Sequence, residues 1–372
     1  LKELTYQYLR LAHPELKEKV GDSLNSGTSL NREDSFLKNY KKSSAKGYQT
    51  KKAYLLKGEH LGPGEFGVMH GYMQIPQLKE VCHRYGCSIN EYLVSVYIWS
   101  VYTECMKGMP SASPIRVAVP VNLRPYFNSI TTKNFFVMVS AEFHPTKEVY
   151  TFAEVLEIVR DNLRSQINRE HLEKLFSYNV SNEKKWYVRI LPLCVKWLAL
   201  GFIFKRNDRA HTITLSNIGL ISMDREYQDD IEGFRMLIGV SKRQPAKCGV
   251  CSFGHRTVIT FTKVFQDSRL EECFFGRLRA DGIPVELESN GVIMPEADKG
   301  NYPVIQHDES IWKKLVLVCY GVLAVVALFL GLVNIVTYDG LWWSGIAIPG
   351  IAYVGLTLRY SILRHANLGK SL

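Results

Sequence analysis

Cysteine is scarce in this sequence, eight in 372 residues, too few for a disulfide scaffold, so reduced thiols are the expected state. Blocks of like charge are missing as well. The net charge is +10, from 46 Lys and Arg against 36 Asp and Glu, but the bases are scattered and never reach the run of roughly five or six expected of a nucleic-acid tail. No nucleic-acid partner is expected. Generic catalytic signatures are also absent. There is no HExxH, no GxSxG and no GxxxxGKS/T, so local sequence supplies no zincin helix, nucleophile elbow or phosphate cradle. The ten His are dispersed, with no two adjacent. Global disorder is excluded by a hydrophobic content of 46% against 22% charged residues, enough to bury a core.

Several elements can be read from periodicity. Leu1, Leu4, Tyr8, Leu9 and Leu11 fall near helical spacing with Pro14 beyond, so the chain reads as beginning inside a domain. Residues 20–57 are polar and rich in Gly, Ser and Lys, with Glu33 to Leu37 the only structured turn expected in a linker or surface crossover. An alternating, aromatic-rich strand follows at Phe66 to Ile75. Pro76 then sits where a helix begins and Gly86 just past its end. Ser88 with Glu91, Thr151 with Glu154 and Ser268 with Glu271 have capping-box spacing, each ahead of a helix. The uncharged run Tyr92 to Tyr102 predicts a helix buried on most faces, and Glu170 to Phe176 a further helix. Strands are expected at Ile115 to Val121, Asn134 to Phe143, Thr212 to Ser216, Arg235 to Ser241 and Thr257 to Phe265. Mixed strands and capped helices predict an α/β or α+β body.

Two stretches raise the question of a membrane. Trp186 to Phe204 is apolar, but Arg189, Pro192 and Lys196 interrupt it, and a charge at mid-membrane is costly. It reads as an amphipathic helix against the core. The tail differs in kind. Leu315 to Val336 and Leu341 to Leu358 are uncharged runs of 22 and 18 residues, long enough to cross a bilayer. Trp312, Tyr338, Trp342, Trp343 and Tyr360 flank them, where amphipathic rings favour the interface. Lys313 and Lys314 precede the first run, Arg359, Arg364 and Lys370 follow the second, and the turn between carries only Asp339. A transmembrane helical hairpin with both ends cytoplasmic is expected.

Metal and redox readings are weak. Cys248 and Cys251 form a CxxC with His255 four residues on and Cys273 further along, but no second pair lies at zinc spacing. A thioredoxin-like dithiol would open a helix, whereas strand-like sequence flanks this pair, which reads as small residues in a β-hairpin. Gly62-Pro63-Gly64-Glu65-Phe66-Gly67 precedes a strand rather than a helix and reads as a turn. His70 sits in a strand-like stretch with no acid nearby in sequence and reads as structural. No metal is expected.

Two segments are more specific. Val119-Pro120-Val121-Asn122-Leu123-Arg124-Pro125 is followed by Lys133-Asn134-Phe135-Phe136, and Leu215-Ser216-Asn217-Ile218-Gly219 leaves a strand into a tight turn. With the strand at Val258 to Phe261 and the helix ending near Gly282, this ordered set resembles the C-terminal half of the chloramphenicol-acetyltransferase and condensation-domain superfamily. It is most similar to membrane-tailed alcohol acetyltransferases, over roughly residues 1–290. The resemblance implies a two-layer α/β subdomain with a mixed sheet at 58–292, preceded by the end of an N-terminal subdomain and crossover at 1–57. A juxtamembrane linker at 293–311, the hairpin at 312–360 and a cytoplasmic tail at 361–372 complete this division.

In that superfamily a second His in HHxxxDG takes the proton from an acceptor hydroxyl or amine attacking a thioester, a task suited to neutral imidazole. This chain contains no HHxxxDG. The resemblance therefore implies a membrane-anchored O-acyltransferase fragment that is inactive alone. Acetyl-CoA or another acyl thioester would be its co-substrate, with an alcohol acceptor and the bilayer as further partners. It would be a multi-pass protein of the cell membrane with its soluble domain cytoplasmic, and no cofactor would be bound. A non-catalytic docking module is the alternative. By the same resemblance Arg124 would clamp the missing motif's Asp through two-point geometry that Lys cannot reproduce. Asn122 lies in the same block, Asn134 would begin the strand after the crossover, and Ser216, Asn217 and Gly219 would form the turn facing the reaction tunnel.

The basic flanks make the hairpin testable: an Asp339→Cys variant of the full chain should react with an impermeant maleimide from the non-cytoplasmic side. Labelling only from the cytoplasmic side would contradict that topology.

Overall fold

The computed structural model describes residues 33–42, 52–62, 64–147, 149–185, 192–223, 230–241 and 243–292, with isolated positions 5, 8, 9, 11, 188, 190 and 228. All fall within the first of the two units into which the chain divides, Leu1–Val304. The expected hairpin at 312–360, with its spans at 315–336 and 341–358, lies outside the described residues. Among those described, no helix is long and apolar enough to cross a membrane.

Seven strands form one mixed sheet: β1 Gly67–Gln74, β2 Ile115–Asn122, β3 Phe136–Phe143, β4 Ile213–Ile221, β5 Ala246–Phe253, β6 Arg256–Lys263 and β7 Glu286–Ser289. Their spatial order is β3-β2-β4-β5-β6-β1-β7. β4 runs parallel to both β2 and β5, and every other pairing is antiparallel. The segments 117–121 and 212–216, predicted to share a sheet, thus lie in adjacent parallel strands, apart from Thr212, which immediately precedes β4.

Side chains alternate across each strand, and one set faces a helical layer. Val117 and Val119 of β2, Val137, Val139 and Ala141 of β3, Ile213 and Leu215 of β4, Cys248 and Val250 of β5, Ile259 and Phe261 of β6 and Met69 and Met73 of β1 join one core. The same core takes Leu78 from the helix Ile75–Arg84, Tyr92 to Ile98 from Ile89–Ser100, Val155 to Leu163 from Phe152–Gln166 and Phe274 and Phe275 from Arg269–Ala280. Gly71 on β1 permits the close contact with the last of these: a Cβ there would stand 2.2 Å from Phe275. The outer edge of β3 is satisfied by side chains of the neighbouring helix. Ser140 N donates to Gln166 Oε1 (3.3 Å), Gln166 Nε2 donates to Ser140 O (2.8 Å), and Glu142 N donates to Asn162 Oδ1 (3.0 Å). That blunts an edge that would otherwise be a template for another strand.

Two of the predicted capping boxes form, at Ser88–Glu91 and Thr151–Glu154. The third does not. Ser268 is an N-cap without a side-chain cap bond, its Oγ donating instead to Glu272 Oε1, and Glu271 turns inward. Glu271 and Lys263 are 0% and 2% exposed and their side chains meet at 2.5 Å. A buried cation draws the carboxylate away from the helix terminus because an unpaired buried charge costs far more than a lost cap.

Other boundaries moved. The helix expected at Glu170 to Phe176 extends over Arg169–Lys184, capped by Asn168 accepting from His171 N. β3 starts at Phe136 rather than Asn134. Residues 231–240, predicted as a strand from Arg235, are irregular. Their backbone crosses the sheet instead of joining it: Thr262 Oγ1 donates to Ile238 O (2.5 Å) and Cys251 Sγ to Phe234 O (3.1 Å). The helix expected to pack on the core begins after Pro192, as Leu193–Asp208. Trp197, Leu198, Leu200, Phe202 and Phe204 along it are exposed, so the core does not cover it.

Removing one partner of the buried pair, as in Lys263→Met, should lower stability by about 3–5 kcal/mol, while Lys263→Met with Glu271→Leu should return most of that loss. Denaturant unfolding of the three proteins checks this; additive losses in the double variant would contradict it.

Candidate functional site

The face of the sheet opposite the helices carries polar groups in rows set by strand register. One row runs Ser140, Ala118, Thr214, Lys247 and Thr262 across β3, β2, β4, β5 and β6. Ser216, Gly249, Thr260, His70 and Glu288 lie two residues further along, on β4, β5, β6, β1 and β7. Gly249 is where the segment 231–240 touches the sheet: a Cβ there would stand 2.3 Å from the carbonyl oxygen of Met236. The segment lies over this row, and a cleft opens on each side.

The larger cleft, of about 1090 Å³, is lined by Ala118, Met138, Ser140, Phe176, Phe204, Asp208, His211, Thr214, Gln244 and Lys247 among others. Inside it His211 Nε2 lies 2.8 Å from Ser140 Oγ, and the ring also bonds the backbone carbonyl of Asn207. A carbonyl only accepts, so Nδ1 carries the proton and Nε2 accepts from the Ser140 hydroxyl. Burial, and then the nearby Arg116 guanidinium, lower the His211 pKa from 6.5 to about 4, which makes it a neutral imidazole at neutral pH. Arg116 is itself fixed, Nη2 to Glu142 (2.8 Å) and Nη1 to Ala210 O (2.8 Å). Asp208 accepts from Ser241 Oγ (3.0 Å) and Gln244 Nε2 (3.1 Å), and Gln244 Oε1 accepts from Thr214 Oγ1 (2.5 Å). Burial lowers the pKa of Lys247, with Asp208 opposing. The cleft is therefore polar on its sheet side and apolar where Phe136, Met138, Phe176 and Phe204 enter it.

The smaller cleft, about 500 Å³, contains Tyr72, Arg235, Arg256, Glu286 and Glu288. Tyr72 Oη donates to Glu288 and accepts from Arg235 Nε at 2.6 Å, and Arg235 Nη2 reaches Glu288 at 3.0 Å. His70 lies behind this group with Nδ1 2.8 Å from Thr260 Oγ1. Its pKa is lowered by burial and by Arg235, with Glu288 opposing. The sequence places no acid beside His70; the β1–β7 pairing does, by setting Glu288 opposite it.

The residues singled out from sequence lie at the carboxyl end of β2 and at a bulge within β4. Asn122 ends β2, exposed, with Oδ1 accepting from Arg124 N (3.2 Å) and Nη1 (3.1 Å). Arg124 opens a short helix, Arg124–Phe127, and curls back to give Nε to Thr131 O (2.8 Å) and Nη2 to Lys133 O (2.6 Å). It thereby fastens the loop that carries Asn134, which is exposed and precedes β3 by two residues. Ser216 and Asn217 are half-buried within β4, which runs on to Ile221 through a register shift between Asn217 and Leu220 rather than ending in a tight turn. Asn217 Oδ1 accepts from Gly219 N (2.8 Å), and Gly219 takes φ +80°, a conformation that favours glycine. The turn chemistry was legible; the bulge that keeps the strand going was not. The side-chain hydrogen bonds of Arg124 go to Asn122, Thr131 and Lys133, and that of Asn217 comes from Gly219.

Sequence reasoning missed His211 and Ser140, which lie far apart in the chain and belong to no spacing motif. Only pairing of β3 with β2, and of β2 with β4, brings them together. The CxxC behaves as strand alternation requires: Cys248 lies in the main core and Cys251 in the cluster on the opposite face. Two thiols on opposite faces cannot form a dithiol. Among the described residues no group of three or more His, Cys, Asp or Glu could hold a metal.

His211 gives a pH signature. Its folded pKa lies below the ordinary value of 6.5, so the unfolded chain binds its proton first as pH falls. The folded state should lose stability between pH 6.5 and 4, by about 3 kcal/mol, and the loss should level off below 4. His211→Gln should flatten that part of the stability–pH curve. An unchanged slope would contradict the assignment.

Residues 302–372 match a family model described as a family of unknown function, DUF6320. No curated protein matches. Among solved structures, the chain is similar to the condensation domain that mediates chain release from the enacyloxin polyketide synthase, at 10% identity and TM-score 0.36, covering 68% of this chain and 47% of that one. It is similar to F. sporotrichioides TRI101 complexed with coenzyme A and T-2, at 12% identity and TM-score 0.44, covering 66% and 56%. It is also similar to the Marinobacter aquaeolei wax ester synthase/diacylglycerol acyltransferase, at 13% identity and TM-score 0.37, covering 62% and 53%. The chain spans about half the length of these structures.

Proposed function

We propose that this chain carries the second half of an acyl-transfer site, moving a short acyl group from a thioester such as acetyl-CoA to an alcohol. The observation that supports this reading best is the convergence of two remote blocks. The Val-Asn-Leu-Arg-Pro block at the carboxyl end of β2 and the Ser-Asn-x-Gly bulge within β4 lie on neighbouring parallel strands, both beyond the residues that pair the two, toward the side on which open α/β sheets place ligands. The attacking hydroxyl would add to the thioester carbonyl, the C–S bond would break and the thiol would leave. The proton of the hydroxyl would pass through a general base to the sulfur. That base is a His contributed from outside this chain, since HHxxxDG is absent here.

Each residue would have a separate task. Arg124 uses three of its five N–H donors on Asn122, Thr131 and Lys133, one at each nitrogen, which leaves one on Nη1 and one on Nη2 for a carboxylate. A clamp on the Asp of the base-bearing motif needs that pair. Ser216 and Asn217 would offer donors to the carbonyl oxygen as it gains charge. The uncharged runs at 315–336 and 341–358 would anchor the body at the cytoplasmic face of a cell membrane and bring it to lipophilic alcohols.

Thiol release from acetyl-CoA with a primary alcohol should be undetectable for the chain alone and appear when it is joined to an upstream segment containing HHxxxDG. In the joined protein Arg124→Lys should lower turnover roughly ten-fold or more, about 1.4 kcal/mol of barrier. Turnover by the chain alone, or equal rates for the two joined proteins, would contradict these roles. Thioester binding without turnover in the joined protein would favour a docking module.

A further inference from the structure

The helix Leu193–Asp208 is at odds with the rest of the fold. Trp197 is 75% exposed, Leu198 67% and Phe202 70%, with Leu193, Leu200 and Phe204 exposed beside them. A helix that is apolar on every side is normally buried in a core or in lipid. Its last turn is held to the segment before β5, where Asp208 accepts from Ser241 and Gln244.

Length and charge decide what fits it. At 16 residues the helix is about 24 Å long, short of the ~30 Å hydrocarbon core of a bilayer, so it does not span. Residues 184–209 carry seven bases against the single acid Asp208, which is already engaged by Ser241 and Gln244. The bases stand mostly at the two ends of the segment, Lys184, Lys185 and Arg189 before the helix and Lys205, Arg206 and Arg209 at its far end, where long basic side chains can reach a headgroup layer while the apolar stretch between them enters the lipid. The chain also contains two uncharged runs long enough to reach a bilayer. A protein partner recognising this segment would need acidic side chains among apolar ones; a bilayer with anionic headgroups supplies both layers at once.

The geometry points to Leu193–Asp208 as an in-plane membrane-binding helix that seats the soluble body on an anionic phospholipid surface. Its inner end contributes Ile203 and Phe204 to the larger cleft, so the apolar mouth of that cleft faces the lipid. This inference does not rest on the acyl-transfer reading, and the test contains no turnover measurement.

The test places a benzophenone amino acid at Leu200 or Phe202 in the full chain, with Glu157, an exposed residue on the helix Phe152–Gln166, as the control position. The proteins are irradiated in phosphatidylcholine vesicles with and without phosphatidylglycerol. Circular dichroism verifies that each variant is folded. Phospholipid adducts should form at Leu200 and Phe202 and not at Glu157. Adding phosphatidylglycerol should increase them, and the combined change Lys185→Glu, Lys205→Glu and Arg206→Glu should reduce them roughly ten-fold or more. Adducts to the same chain or to a second copy in place of lipid, lipid adducts no greater than at Glu157, or yields that ignore headgroup charge would overturn the proposal.

Discussion

The structure depends on a sheet whose two faces do different work. Strand alternation sorts the side chains: Val117, Val139, Leu215, Val250 and Phe261 go beneath the helices, while Ser140, Thr214, Lys247, Thr260 and His70 go to the other side. The buried set makes the sheet rigid, because a one-residue slip in any strand would exchange the two sets. The polar set can then be positioned without itself contributing much to stability. The rows of hydroxyls, amines and imidazoles across five strands follow from that single constraint.

The polar face is divided where one side chain is missing. Gly249 admits the backbone of Met236, and the irregular segment laid there separates a cleft around His211 from one around Tyr72 and Glu288. Both imidazoles on this face have depressed pKa values, burial being the first cause in each case. Burial, and then a nearby guanidinium, Arg235 for His70 and Arg116 for His211, disfavours the charged form of each. Of the residues carrying the acyl-transfer reading, Asn122 and Arg124 lie at the end of β2 and Ser216, Asn217 and Gly219 at the bulge within β4, none of them among the residues lining either cleft. There backbone turns, rather than burial, fix Arg124 and Asn217.

Much of the framework was legible because its signals are local. The capping boxes at Ser88 and Thr151, the buried run from Tyr92 and the strands at β1, β2 and β6 depend on residues within one or two turns of each other. The failures share a cause in tertiary contact. Ser268 and Glu271 have the spacing of a cap, yet Lys263, buried on the adjacent strand, captures the carboxylate. Arg235 to Ser241 has a strand's composition, but its carbonyls go to Thr262 and Cys251, not to a ladder. Apolar composition interrupted by Arg189, Pro192 and Lys196 suggested that Trp186 to Phe204 is an amphipathic helix against the core, although burial is a property of what surrounds a segment. The Ser140–His211 pair depends on β2 lying between β3 and β4, which no spacing in the sequence encodes.

The end of β2 and the bulge within β4 are proposed to form half of a thioester site. Amide hydrogen exchange on the chain joined to an HHxxxDG-containing upstream segment, with and without acetyl-CoA, tests it most directly. Added acetyl-CoA should slow exchange at residues 122–134 and 216–221 while leaving the buried strands unchanged. Protection confined to the Tyr72–Glu288 cleft, or none at the end of β2 and the bulge of β4, would contradict it.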